Sequence, residues 1–303
     1  MARLETRRPT LSELDLSPGK RTRLHRLLYR YGPANGTMLV LPIDQGLEHG
    51  PRDFFENPEA KDPEYELRLA RDGNFSAIAL QIGVASKHIG AYAGEVPLIL
   101  KLNGKTEIPP SDRALSPLLA SVEDAVRLGA DAVGYTLYVG SPRQDEDFVA
   151  FGKVRAEAER LGMPVIIWAY PRGEDVERKG GRDSLYAIDY AARVATEVGA
   201  DVVKLNMPKR NPDQDRLAPA PYNELDLPDD EAMRMVVSSA GRAPVLLSGG
   251  SKVSDEDLLH KAETALEAGA TGMIFGRNVW QRPYEDALAI TARIHELMAQ
   301  YGD

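Results

Sequence analysis

The 303-residue chain contains no cysteine. Disulfides, zinc–thiolate sites, iron–sulfur clusters and cysteine nucleophiles are therefore excluded. Basic charge is also short: 37 Lys and Arg stand against 46 Asp and Glu, a net charge of −9. That balance gives no general attraction for nucleic acid or an anionic membrane, so neither is expected as a partner. An anionic ligand must instead be caught by local basic groups and backbone amides. No apolar run reaches transmembrane length, and none follows Arg3, Arg7 and Arg8, so a cytoplasmic location is expected. The histidines His25, His49, His88, His260 and His295 include no dense ligand spacing, so no metal site is expected.

What is present is a rhythm of short apolar runs alternating with longer amphipathic stretches. Strands are expected over 37–44, 77–83, 97–103, 132–138, 164–170, 202–207, 244–249 and 272–276. Helices are expected over 63–72, 86–92, 121–128, 146–161, 184–198, 229–240, 255–268 and 284–301. Eight strand–helix units predict an α/β fold, a (β/α)8 TIM barrel, as a single domain over 35–303 behind a short N-terminal helical extension over 1–34. A doubly wound open sheet is the alternative, weakened because no glycine-rich dinucleotide fingerprint follows the first strand. Helix-to-strand turns are tight and alike, as in Gly129-Ala130-Asp131 and Gly199-Ala200-Asp201. Strand-to-helix loops over 45–62, 104–119, 171–183 and 208–228 are long and polar. In a barrel they share the C-terminal face, where active sites are built. Only His49 and His88 among the histidines fall near that expected face.

Several strand ends carry reactive side chains. Lys204 lies in the apolar run of strand 6. A lysine there either snorkels outward or pairs with a carboxylate, or else it is buried as a low-pKa amine able to form a Schiff base with a carbonyl. Asp44 ends strand 1; it either caps a helix or moves protons. Tyr170 ends strand 5, either as a rim aromatic or, if close to Lys204, as a proton donor. Lys101 on strand 3 is a second amine, expected to bind an anion or balance Asp44. Ser248-Gly249-Gly250 after strand 7 and Gly276-Arg277 after strand 8 match the place where barrels cradle phosphate. Without a metal cage, an iminium on Lys204 is the available electron sink.

Five ordered motifs resemble one family. They are 42–51 (Pro42-Ile43-Asp44-Gln45-Gly46-Leu47-Glu48-His49-Gly50-Pro51), 168–173 (Trp168-Ala169-Tyr170-Pro171-Arg172-Gly173), Val202-Val203-Lys204, Leu247-Ser248-Gly249-Gly250 and 275–281 (Phe275-Gly276-Arg277-Asn278-Val279-Trp280-Gln281). Together they resemble the archaeal-type (DhnA-type) class I fructose-bisphosphate aldolases over about 37–283. The resemblance implies a (β/α)8 barrel with Lys204 as Schiff-base lysine, Tyr170 as catalytic tyrosine and Asp44 as the acidic residue of strand 1. It implies Trp168 in the active site, and Ser248, Gly249, Gly250, Gly276 and Arg277 on the phosphate loops. It implies metal-free cleavage of fructose 1,6-bisphosphate, no cofactor beyond the covalent imine, and homo-oligomers, decamers among them. The second phosphate's site is left unassigned, with Arg172 and Lys101 as candidates. Related barrels keep the lysine but act as a transaldolase-like dideoxyheptulosonate synthase or a phospho-sugar thiolase. A non-catalytic sugar-phosphate sensor or a barrel isomerase would need no buried lysine beside a tyrosine.

Overall fold

The computed structural model describes residues 5–303, with the main chain alone at Gln45; the first four residues of the expected extension lie outside it. Eight parallel strands close into a barrel in chain order. They are β1 (Met38–Pro42), β2 (Ala77–Gln81), β3 (Leu98–Lys101), β4 (Ala132–Val139), β5 (Val165–Pro171), β6 (Val202–Leu205), β7 (Val245–Ser248) and β8 (Gly272–Ile274). The helices of the first half are α1 (Pro18–Tyr29), α2 (Gln45–Glu48), α3 (Pro63–Asp72), α4 (Ile82–His88), α5 (Val122–Arg127) and α6 (Gln144–Leu161). Those of the second are α7 (Glu174–Arg178), α8 (Leu185–Val198), α9 (Pro212–Asp215), α10 (Asp229–Ser239), α11 (Asp255–Glu267), α12 (Arg277–Trp280) and α13 (Tyr284–Met298).

Six strands stop one or two residues before the ends expected from the apolar runs. Asp44, Asn103, Asn206 and Gly276 consequently lie just past the hydrogen-bonded ladder. A residue inside the ladder must point in or out; beyond it, the chain can turn a side chain toward the barrel mouth. The second expected helix also begins early, at Ile82 directly after β2, so Gly83 sits in its first turn and marks no loop. The long loops hold short helices, α2, α7 and α9, as well as 3-10 turns.

Both strand faces are covered. The outer faces pack against the ring of helices. The inner faces of Met38, Val40, Ala77, Ile99, Ile166, Val202 and Leu246 form a separate core inside the barrel. Burial on both sides explains why the strands read as continuous apolar runs without alternation.

The lead-in helix closes the lower end of that inner core. Leu24, Leu27 and Leu28 of α1 pack into it. The repeated Gly-Ala-Asp turns anchor α1: Lys20 Nζ lies 3.0 Å from Asp201 Oδ2, and Arg26 Nε 2.9 Å from Asp131 Oδ1. Gly19 meets Gly162 so closely that an added Cβ would lie 2.9 Å from Gly162 Cα. Leu27→Ala is expected to destabilise the whole barrel by about 2–5 kcal/mol. Urea unfolding checks this, and a loss below about 1 kcal/mol would mean that α1 is an appendage.

Candidate active site

Parallel pairing sets Trp168 on β5 opposite Lys204 on β6. Strand alternation puts Tyr170, two residues beyond Trp168, on the same inward face. Lys204 therefore points into the barrel and is 5% exposed. Its Nζ donates to the Tyr170 hydroxyl and stands 4.3 Å from the centre of that ring. The outward, snorkelling orientation does not occur.

A second buried lysine lies beside it. Lys101 is wholly inaccessible, and its Nζ donates to Thr136 Oγ1 at 2.7 Å. The same Nζ is 3.5 Å from both Asp44 Oδ2 and Glu48 Oε1. Both lysines approach one indole: Nζ of Lys101 is 5.1 Å and Nζ of Lys204 is 5.9 Å from the Trp168 ring centre. Gly134 makes that layer possible, since a Cβ there would lie 2.6 Å from the Trp168 ring and 3.0 Å from Lys101 Cδ. Asn103 ties β3 to β4, accepting from Thr136 N at 2.7 Å and donating to Thr136 O at 2.8 Å.

Burial pushes the Lys204 amine down to about 8, with Lys101 and Arg277 adding to the fall and Asp44 and Glu48 opposing it. At pH 7 roughly one Lys204 in ten is then a free amine, against about one in a few thousand for an ordinary lysine. Desolvation is thus large enough to supply a nucleophile at neutral pH, and the flanking carboxylates moderate it.

A cavity of about 160 Å³ above Lys204 is lined by Glu48, Tyr170, Ser248, Gly249, Gly250, Gly276 and Arg277, among others. Ser248 Oγ donates to Asn206 Oδ1 at 2.7 Å. Arg277 Nη2 donates to Gly250 O at 3.2 Å. Gly250 is left-handed, φ +68°, and a Cβ built there would meet nothing within 4 Å, so its backbone faces open space. A broader basin of about 630 Å³ shares Arg172, Ser248, Gly249, Gly250 and Arg277 and adds Arg182, Lys209, Arg210 and Lys261. Cations therefore crowd this mouth although the chain as a whole is acidic.

The chain that builds this site is similar to known proteins. The sequence profile of DeoC/LacD family aldolases matches residues 38–282. The chain belongs to that aldolase family. A fructose-bisphosphate aldolase class 1 from Thermoproteus tenax is 42% identical over 268 residues, covering 88% of this chain and 90% of the relative. A 2-amino-3,7-dideoxy-D-threo-hept-6-ulosonate synthase from Halobacterium salinarum is 31% identical, with 92% of each chain covered. Among solved structures, an archaeal fructose-1,6-bisphosphate aldolase, its catalytic lysine covalently bound to the substrate's carbinolamine intermediate, superposes with a TM-score of 0.77 at 39% identity. That match covers 91% of this chain and 99% of the other.

In this DeoC/LacD aldolase, Lys204, Tyr170, Ser248, Gly249, Gly250, Gly276, Arg277 and Arg172 line one cavity. Trp168 forms the floor beneath the two lysines. Asp44 and Lys101 lie a layer deeper, against each other, and are not among the lining residues. Arg172 borders both cavity and basin, its guanidinium pushed below the usual arginine range by burial and by Arg182. His49 reaches the cavity, its Nδ1 2.7 Å from Asp53 Oδ2, whereas His88 ends α4 and is not in the lining. Sequence reading missed Glu48, the carboxylate that does line the cavity. Its spacing from Asp44, i and i+4 across one helical turn, was the available signal. It also missed Thr136 and Gly134, which no pattern marks because every residue of β4 is buried.

The rate at which a carbonyl reagent captures Lys204 is expected to rise with pH around a midpoint of about 8. Lys101→Met removes a cation that lowers this midpoint, so the midpoint should move upward. Mass spectrometry of borohydride-trapped adduct against pH measures both values, and an unmoved midpoint would show that Lys101 exerts no such effect.

Proposed function

We infer that this protein is a class I fructose-1,6-bisphosphate aldolase that reversibly forms dihydroxyacetone phosphate and glyceraldehyde 3-phosphate. The observation that carries the reading is the inward Lys204 amine, depressed by burial and hydrogen-bonded to Tyr170 beneath the glycine–arginine cavity. The Lys204 amine adds to the C2 ketone, and loss of water from the carbinolamine gives an iminium. With the C4 hydroxyl proton removed, the C3–C4 bond breaks toward the iminium. The aldehyde leaves, and an enamine remains on Lys204. Protonation at C3 and hydrolysis return the ketone product and the free amine. No metal ion or other cofactor enters this sequence, because the iminium is the electron sink.

Tyr170 suits the proton transfers because its hydroxyl already meets the reacting nitrogen. Asp44 and Glu48 favour positive charge at Lys204, which an iminium requires permanently. The Ser248–Gly250 backbone with Arg277 is suited to hold one phosphate, fixing C2 against the amine. Arg172, at the junction of cavity and basin, is suited to the second. The wholly buried Lys101 fits charge balance with Asp44 and Glu48 better than phosphate contact. Higher identity to the aldolase than to the synthase relative supports the aldolase reading. Work on these sugar phosphates belongs to glycolysis and gluconeogenesis in the cytoplasm. The exposed apolar Val149 and Tyr190, 64% and 53% accessible, fit a homo-oligomer.

Borohydride added with fructose 1,6-bisphosphate should leave one stable adduct on Lys204. An adduct on Lys101, or none, would sink the assignment. Tyr170→Phe should still trap the imine while turnover falls roughly a hundredfold or more, a drop typical of a lost acid–base group. Undiminished cleavage would remove Tyr170 from the proton transfers.

A further inference from the structure

Asn278, on α12 just after β8, has no role in the chemistry above, yet it is completely buried. Its side-chain amide uses both donors and one acceptor position on the loop after the neighbouring strand β7. Nδ2 donates to Gly249 O at 3.3 Å and to Ser251 O at 3.3 Å, while Oδ1 accepts from Val253 N at 2.9 Å. A buried amide satisfied in this way costs little and fixes its partners. The contact is close: a Cβ on Gly249 would lie 2.9 Å from Asn278 Nδ2 and 3.0 Å from Phe275 Cδ1.

The bonding pattern has a directional consequence. In a trans peptide, C=O and N–H point opposite ways. Holding the Gly249 carbonyl against Asn278 therefore turns the N–H of Gly250 the other way, toward the cavity that Gly250 lines. No group among the described residues accepts from that N–H. Fixing the Ser251 carbonyl turns the Lys252 N–H outward by the same geometry.

We propose that Asn278 is a positioning residue that holds the Gly249 carbonyl inward and so turns the Gly250 amide toward the phosphate of the substrate. This rests on the phosphate reading of the cavity above. Without Asn278 the peptides are free to rotate, and a carbonyl oxygen facing the cavity repels the anion it should bind.

The test uses inorganic phosphate as a competitive inhibitor and fructose 1,6-bisphosphate as substrate. Asn278→Asp keeps the acceptor for Val253 N but sets a carboxylate against two carbonyls. It should raise the phosphate inhibition constant and KM roughly tenfold, about the worth of one charge-assisted hydrogen bond. kcat should fall by less than about threefold. Asn278→Ser, smaller and neutral, should give the same split if the aspartate variant does not fold. A parallel fall in kcat, with KM and the phosphate constant unmoved, would overturn the proposal and leave Asn278 a packing residue. Wild-type protein indifferent to phosphate would instead overturn the cavity reading, and the proposal with it.

Discussion

Two lysine ammoniums buried over one indole are the constraint around which the site is arranged. Low polarity and neighbouring like charge both act against a protonated Lys204, and the surrounding groups are divided unequally. Asp44, Glu48 and Thr136 lie against Lys101, whereas Lys204 donates to a neutral phenol. Lys204, the lysine that borders the cavity, has its amine lowered by burial. An arrangement with the carboxylates beside Lys204 would keep it charged and unreactive. Lys101, at its depth, adds to the lowering of the Lys204 amine.

That arrangement depends on strand register more than on any single contact. Trp168 faces Lys204 across β5 and β6, while Lys101 pairs with Gly134 across β3 and β4. A slip of one residue in either pair would turn a lysine out of the barrel. The inner core below resists such slips, because Ile166, Val202 and Leu246 interlock there and α1 seals the lower end. Rigidity below allows the loops above to carry short helices and irregular turns without moving the reactive atoms. Lys204 and Tyr170 sit on strands, whereas Gly249 and Gly250 sit on a loop to which Asn278 is hydrogen-bonded.

Much of this was legible from the chain alone. The strand–helix rhythm gave eight strands in the right places, and the long loops marked the working face. The ends of the strands were misjudged because apolar residues such as Ile43, Leu102 and Phe275 lie past the paired residues yet still bond to the neighbouring strand. Glu48 escaped notice because 45–62 was read as a loop, whereas the chain turns at once into α2. Thr136 and Gly134 escaped because β4 is buried on both faces and shows no alternation. Sequence patterns report which face meets water, and no face of that strand does.

The sequence by itself determined the barrel, the chemical type of each strand-end residue and the absence of thiol chemistry, since these follow from local periodicity and composition. Only the tertiary structure decided which lysine lies beneath the cavity with a lowered amine. That choice depends on which amine has the carboxylates beside it and which has the cavity above it. Residues far apart in the chain set both conditions: Asp44 and Glu48 from β1 and α2, Thr136 from β4 and Tyr170 from β5. Their effect on an amine falls off over a few ångströms, a distance that only closure of the barrel brings into being.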